Sequence, residues 1–152
     1  MGKILKFPKK FLWGAATSSY QVEGGIENSD WSREFPAGRA CDHYNRYDND
    51  FDYVKKLNQN AHRLSIEWSR IEPKEGIFSE KEINHYRDVL NSLKKRNIKI
   101  MITLHHYTNP DWFSEKGGWA TGKSIFYFKR FAEKIISAYG DSVDFWRSEE
   151  HT

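Results

Sequence analysis

The sequence predicts an α/β chain, the N-terminal portion of a (β/α)₈ barrel with about three βα units and the start of strand four. Three observations lead there. Strand-period and helix-period stretches alternate along the chain, the pattern of parallel strands joined by helices. Ile100–Leu104 is apolar almost without a break, as in a strand covered by helices. Arg63, Ser65 and Glu67 alternate with Leu64, Ile66 and Trp68, so the second strand carries one polar face. An open doubly wound sheet would cover both faces of a central strand with helices, whereas a polar inner face suits a barrel whose upper layer is a site. At 152 residues the chain suffices for one domain and is short for a complete barrel.

Each element follows from local pattern. Phe11–Gly25 reads as a first strand rich in small residues, with Gln21 and Glu23 where it would end, and a long loop at 23–47 after it. Phe51, Val54 and Leu57 recur at helical steps, and Asp48 or Asn49 can cap that helix. AHRLSIEW is the second strand, punctuated afterwards by Pro73 and Gly76. Ser79 and Glu82 have the spacing of a capping box, and Ile83, Tyr86, Val89, Leu90 and Leu93 continue a helix to about Asn97. IKIMITLHHY is the third strand. Apolar side chains at 125, 128, 131, 132, 135 and 136 predict a helix stopped by Gly140, and a fourth strand opens at Val143.

Composition narrows the function. Ten Phe, eight Tyr and six Trp suit a core or a sugar-binding cleft. The net charge of +3 is spread along the chain rather than blocked, which argues against a nucleic-acid partner. A single cysteine, Cys41, excludes an intrachain disulfide framework and a thiolate metal cluster. No apolar run approaches the roughly 18 residues of a spanning helix and the start lacks a signal-peptide core, so a cytoplasmic protein without a membrane partner is expected. Neither G-x-G-x-x-G nor a Walker loop is present, leaving nucleotide binding without a motif.

Several polar residues bear on chemistry, and each has a plain alternative. Gln21 offers a donor and an acceptor to adjacent hydroxyls, or points to solvent. His105 and His106, adjacent on a strand, would face opposite ways and so do not jointly hold a metal. Arg63 is either a site residue or the ion-pair partner of Glu67, two residues on along the same face. Glu67 itself reads as a barrel-facing carboxylate.

FLWGAATSSYQVEGG matches the N-terminal signature of family 1 glycoside hydrolases, the β-glucosidase family, at every position from Phe11 to Gly25. ACDHYNRYDNDF, RLSIEWSRIEP, and TLHHYTNPDWF followed by GGW come next in the family's order, and four ordered blocks are far more specific than one. The resemblance spans roughly residues 7 to 146 and implies a TIM barrel, no cofactor or metal, and a small-molecule β-glycoside or oligosaccharide as substrate.

By position, the resemblance implies that Gln21 and His106 hydrogen-bond the glycon hydroxyls. Tyr107 stands where many members carry Trp, keeping an aromatic wall of altered shape. Arg63 matches the arginine that orients the nucleophilic carboxylate. No catalytic residue is expected in this chain, because the family's acid/base and nucleophile belong to T-x-N-E-P and E-N-G motifs that it lacks. Glu149 and Glu150 lie near the expected acid without its flanking Asn and Pro, so neither is assigned that role.

The motif-by-motif resemblance runs through VDFW, and the T-x-N-E-P block expected next is replaced by RSEEHT. The codons AGA TCG GAA GAG CAC ACG encode that hexapeptide and match the opening of a common sequencing-library adapter. Residues 147–152 are therefore expected to be a non-family tail, and 1–146 the barrel portion. The complete protein is expected to be a retaining β-glucosidase and this chain alone to be inactive. A 6-phospho-β-glycosidase and a non-catalytic sugar-binding relative are the alternatives, and the oligomeric state is open.

Overall fold

The computed structural model describes residues 5–148. Among them four parallel strands stand in the order β1-β2-β3-β4. They are β1 (Gly14–Ala16), β2 (Ala61–Ser65), β3 (Lys99–Thr103) and β4 (Phe145–Arg147). Ala16 is in register with Arg63, Ser65 with Thr103, and Thr103 with Arg147. Parallel neighbours need long crossovers, and three helices supply them: α2 (His43–Lys56), α4 (Glu80–Lys95) and α6 (Ser124–Tyr139). The short helices α1 (Ser19–Val22), α3 (Trp68–Ile71) and α5 (Asp111–Glu115) each follow the C-terminal end of a strand.

The core lies between the strands and these crossover helices. Ile100 and Ile102 of β3 are fully buried, with Leu64 of β2, Phe51 and Val54 of α2, Ile83, Val89, Leu90 and Leu93 of α4, and Phe131 and Ile135 of α6. Each such aliphatic contributes about 1.5–3 kcal/mol by leaving water. Trp68 is buried at the top of this core and stacks on Phe131 with ring centres 5.0 Å apart.

Gly14 is where β1 meets β2. A Cβ there would fall 2.3 Å from the Ala61 carbonyl oxygen, so the two backbones approach as only glycine permits.

Four local expectations are corrected. The second strand stops at Ser65, because Glu67 turns to cap α3, its carboxylate accepting from Ser69 N, and Trp68 enters that helix. The first strand stops at Ala16, so Gln21 and Glu23 belong to α1 and its C-cap. The helix expected from Asn49 begins at His43, behind Asp42 in the left-handed region. Gly140 is not a left-handed stop; at φ −49° it leads from α6 into a turn of 3₁₀ helix.

Helix α4 forms as its sequence predicts, with one difference at its cap. Ser79 Oγ accepts from Glu82 N at 3.4 Å, but the Glu82 carboxylate accepts from Tyr44 OH at 3.0 Å instead of folding back. The Ser79 N–H goes to the Ile71 carbonyl, so the box is half closed and joins α4 to α2 and α3. Helix α6 carries a broad apolar arc opposite Lys129, Arg130, Glu133 and Lys134, and burial selects Tyr127, Phe131, Ile135 and Tyr139 at steps of four within it, leaving Ile125 and Ile136 outward.

Candidate active site

The segments that leave β1, β2 and β3 at their C-terminal ends meet around one buried carboxylate, Glu67. Its Oε2 accepts from Ser19 Oγ at 2.9 Å and its Oε1 from Ser69 Oγ at 2.8 Å. Thr108 Oγ1 donates to the same carboxylate at 3.1 Å. Ser19 N donates to Ser65 Oγ at 2.7 Å. The Ser19 hydroxyl proton is spent on Glu67, so across the 2.9 Å gap Ser65 Oγ is the donor to Ser19 Oγ. Burial holds the Glu67 pKa above the ordinary glutamate value, opposed by these hydroxyl hydrogen bonds.

A second buried carboxylate, Glu23, lies beside the first. Tyr86 OH donates to Glu23 Oε1 at 2.7 Å and accepts from Glu67 N at 3.0 Å. Arg70 Nε donates to Glu23 Oε2 at 2.8 Å, and Arg70 Nη2 bonds the Gly24 carbonyl. Burial pushes Glu23 up to about 7 even though Arg70 and Tyr86 pull the other way. Burial works to lower the Arg70 pKa, yet the Tyr86 and Glu23 charges raise it overall. Gly24 is needed here: its φ is +77°, and a Cβ would sit 2.2 Å from the Arg39 carbonyl oxygen.

The loop after β3 supplies the third part. Neither His105 nor His106 is on a strand, since β3 ends at Thr103; both sit in the turn region that follows. His105 Nε2 is 3.1 Å from Asn109 Oδ1, which also accepts from Trp119 Nε1 at 3.0 Å. Asn109 Nδ2 donates to Asp30 Oδ2 at 2.8 Å, tying this loop to the one after β1. Thr108 N donates to the His106 carbonyl at 2.8 Å around Tyr107, whose φ is +66°. That is a three-residue γ-turn with its centre in the left-handed region, a rare conformation for a residue with a side chain.

The sequence-predicted residues fall on three successive strands or the segments that follow them. Gln21 is on α1, exposed, its Oε1 accepting from Ser18 Oγ at 2.8 Å. Arg63 is within β2, on the strand face opposite the buried Leu64. His106 is partly buried, and Tyr107 is 44% exposed with its ring 5.7 Å from Trp31. The alternative of an Arg63–Glu67 ion pair is replaced by the serine and threonine hydroxyls that occupy the Glu67 carboxylate. Glu149 and Glu150 lie outside the described residues. Ser19, Thr108 and Asn109 escaped sequence reasoning, because their carboxylate partners are more than forty residues away; Ser65 was read only as part of the polar face of β2.

The described residues contain no group of three or more His, Cys, Asp or Glu side chains arranged to hold a metal. No helix among them is long and apolar enough to cross a membrane.

Residues 4–151 match the family described as glycosyl hydrolase family 1. The chain belongs to that family. Beta-glucosidase A of Acetivibrio thermocellus is 36% identical over 162 residues, covering 96% of this chain and 36% of the relative. A 1,4-beta-D-glucan glucohydrolase of Thermotoga neapolitana is 35% identical, covering 93% and 37%. The solved beta-glucosidase of Thermotoga maritima in complex with castanospermine superposes with a TM-score of 0.92 at 33% identity, covering 97% of this chain and 37% of that one. The chain thus spans little more than a third of the length of these family 1 relatives. Its architecture is the N-terminal portion of the family's (β/α)₈ TIM barrel.

Proposed function

We propose that the complete protein is a retaining β-glycosidase of the β-glucosidase type, to which this chain contributes four strands and part of the sugar-binding rim. The observation that carries the reading is the family match over residues 4–151, with relatives described as β-glucosidases. In this reading Gln21 and His106 hydrogen-bond vicinal hydroxyls of the glycon, as side chains that both donate and accept can. Tyr107 presents an aromatic face to the sugar ring. Arg63 orients the nucleophile and keeps it ionised.

Double displacement requires two carboxyl groups about 5–5.5 Å apart, one protonating the leaving oxygen and one attacking the anomeric carbon. Both are assigned to sequence beyond Trp146. Glu67 and Glu23 do not take these roles: each is buried and fully engaged by hydroxyl, phenol or guanidinium groups within the scaffold.

The test is hydrolysis of p-nitrophenyl β-D-glucopyranoside by the complete protein and by the 152-residue chain. The complete protein is expected to release p-nitrophenol with retained anomeric configuration, and the chain alone to release none. Turnover by the chain, or inversion by the complete protein, overturns the reading. Selective hydrolysis of the 6-phosphorylated glucoside would move the substrate class to phospho-sugars.

A further inference from the structure

We propose that Glu67 is a positioning residue that locks the Gln21 and His106 segments into one arrangement. The inference rests on the sugar-rim reading above. Glu67 is 1% exposed, and its carboxylate is shared between hydroxyls from two other strand ends. Ser19 Oγ, at 2.9 Å, lies two residues before Gln21. Thr108 Oγ1, at 3.1 Å, lies two residues after His106. A third contact runs through the backbone: Glu67 N donates to Tyr86 OH, which donates to Glu23, two residues after Gln21. Gln21 is thereby anchored on both sides, and the anchors converge on one residue.

The His106 side needs such an anchor. The γ-turn centred on Tyr107 is intrinsically unfavourable, and turns of this kind persist only where the surroundings over-determine them. The Thr108 hydroxyl on Glu67 and the Asn109 side chain on Asp30 and on the Tyr107 carbonyl provide that determination. An apolar side chain of equal volume would fill the space, but packing is non-directional. Hydrogen bonds to one carboxylate set both distance and angle. Burying a carboxylate is the costlier way to fill a core, and its return here is the relative placement of two loops.

The clamp is readable first in the 152-residue chain, by amide hydrogen exchange. Thr108→Val is expected to speed exchange at 106–109, Ser19→Ala at 19–22, and Glu67→Leu at both, while α4 amides stay protected. Glu67→Gln, which keeps an acceptor and lets the hydroxyls turn, is expected to restore protection in both loops. Faster exchange in only one loop of Glu67→Leu overturns the clamp. If Glu67→Leu does not fold, the single-hydroxyl variants decide, and unchanged exchange in both of them overturns it.

In the complete protein with p-nitrophenyl β-D-glucopyranoside, Thr108→Val and Glu67→Leu are expected to lower kcat/KM about tenfold or more, since small misplacements near a reacting centre are that costly. The midpoint of urea unfolding for Thr108→Val should fall only modestly, because Glu67 loses one donor and keeps those of Ser19 and Ser69. Gln21→Ala and His106→Ala serve as references. If these two lower kcat/KM while Thr108→Val and Glu67→Leu stay within about twofold of wild type, the positioning role fails alone. If the references are also silent, the rim reading fails and the positioning role with it.

Discussion

Arg70 Nε meets Glu23 Oε2 at 2.8 Å in a largely buried site, joining the end of α3 to the end of α1 across 47 residues of sequence. The Arg70 guanidinium also lies over the Tyr44 ring at 4.5 Å. A pair buried this deeply is a poor source of net stability compared with apolar packing, but removing one partner strands the other charge.

Arg70→Met is therefore expected to destabilise the chain by about 3–5 kcal/mol. Arg70→Lys should recover only part, because an ammonium cannot serve the Glu23 carboxylate, the Gly24 carbonyl and the Tyr44 face in one geometry. Urea midpoints of the two variants measure this. Equal stability of Arg70→Lys and wild type would contradict the geometric account.

Stability should respond to pH through two groups of opposite sign. Glu23 titrates near 7 when folded and near 4.5 when unfolded. Between those values the folded chain keeps a proton that the unfolded chain has released, so this contribution is present at low pH and is lost as pH rises through 7. His62 is held down to about 4 by burial, with the His43 charge adding to the effect, against 6.5 unfolded. Its contribution is present above 6.5 and is lost as pH falls through 4. Relative to wild type, Glu23→Gln should make the slope of stability against pH from 4.5 to 6.5 more positive, and His62→Asn should make it more negative. Parallel curves for all three proteins would contradict both assignments.

Gly24 and Gly25 separate strain from crowding. Both have positive φ, +77° and +65°, but only Gly24 has a backbone carbonyl where its Cβ would go. Gly25→Ala is expected to cost about 1–2 kcal/mol, the left-handed penalty alone. Gly24→Ala should cost more, because the Arg39 backbone must move as well. Thermal unfolding of the two variants gives the comparison, and the reverse order would refute the close approach.

Trp68 fills the space under α3, touching Trp112, Phe113, Phe128 and Phe131, and its indole N–H donates to Glu72 Oε2 at 2.9 Å. Trp68→Ala is expected to cost about 3–5 kcal/mol. Trp68→Phe should cost less while leaving the buried Glu72 short of one donor. Calorimetry on both variants distinguishes volume from hydrogen bonding.

Much of this was legible in advance because it is local. The order of strands and helices, the parallel sheet, the Ser79 cap and the α4 face all follow from side-chain period and from turn residues that act over a few positions. The family's ordered blocks fall on β1 with α1, on β2, and on β3 with the loop after it. Period failed where the apolar arc is broader than the buried stripe, as in α6, because only packing chooses which part of the arc is buried. It also failed at Glu67, whose alternation with Ser65 imitates a strand while its carboxylate caps α3.

The sequence by itself determined the fold class and the family, since each is written in short-range pattern or in motifs that read along the chain. Tertiary structure alone decided that Glu67 receives Ser19 and Thr108, that Glu23 is paired with Arg70 and lifted to about 7, and that Tyr107 is held at positive φ. Those outcomes depend on which groups lose water together and which donors then stand within 3 Å. Burial and long-range hydrogen bonding are properties of the assembled chain, and no window of sequence contains both partners.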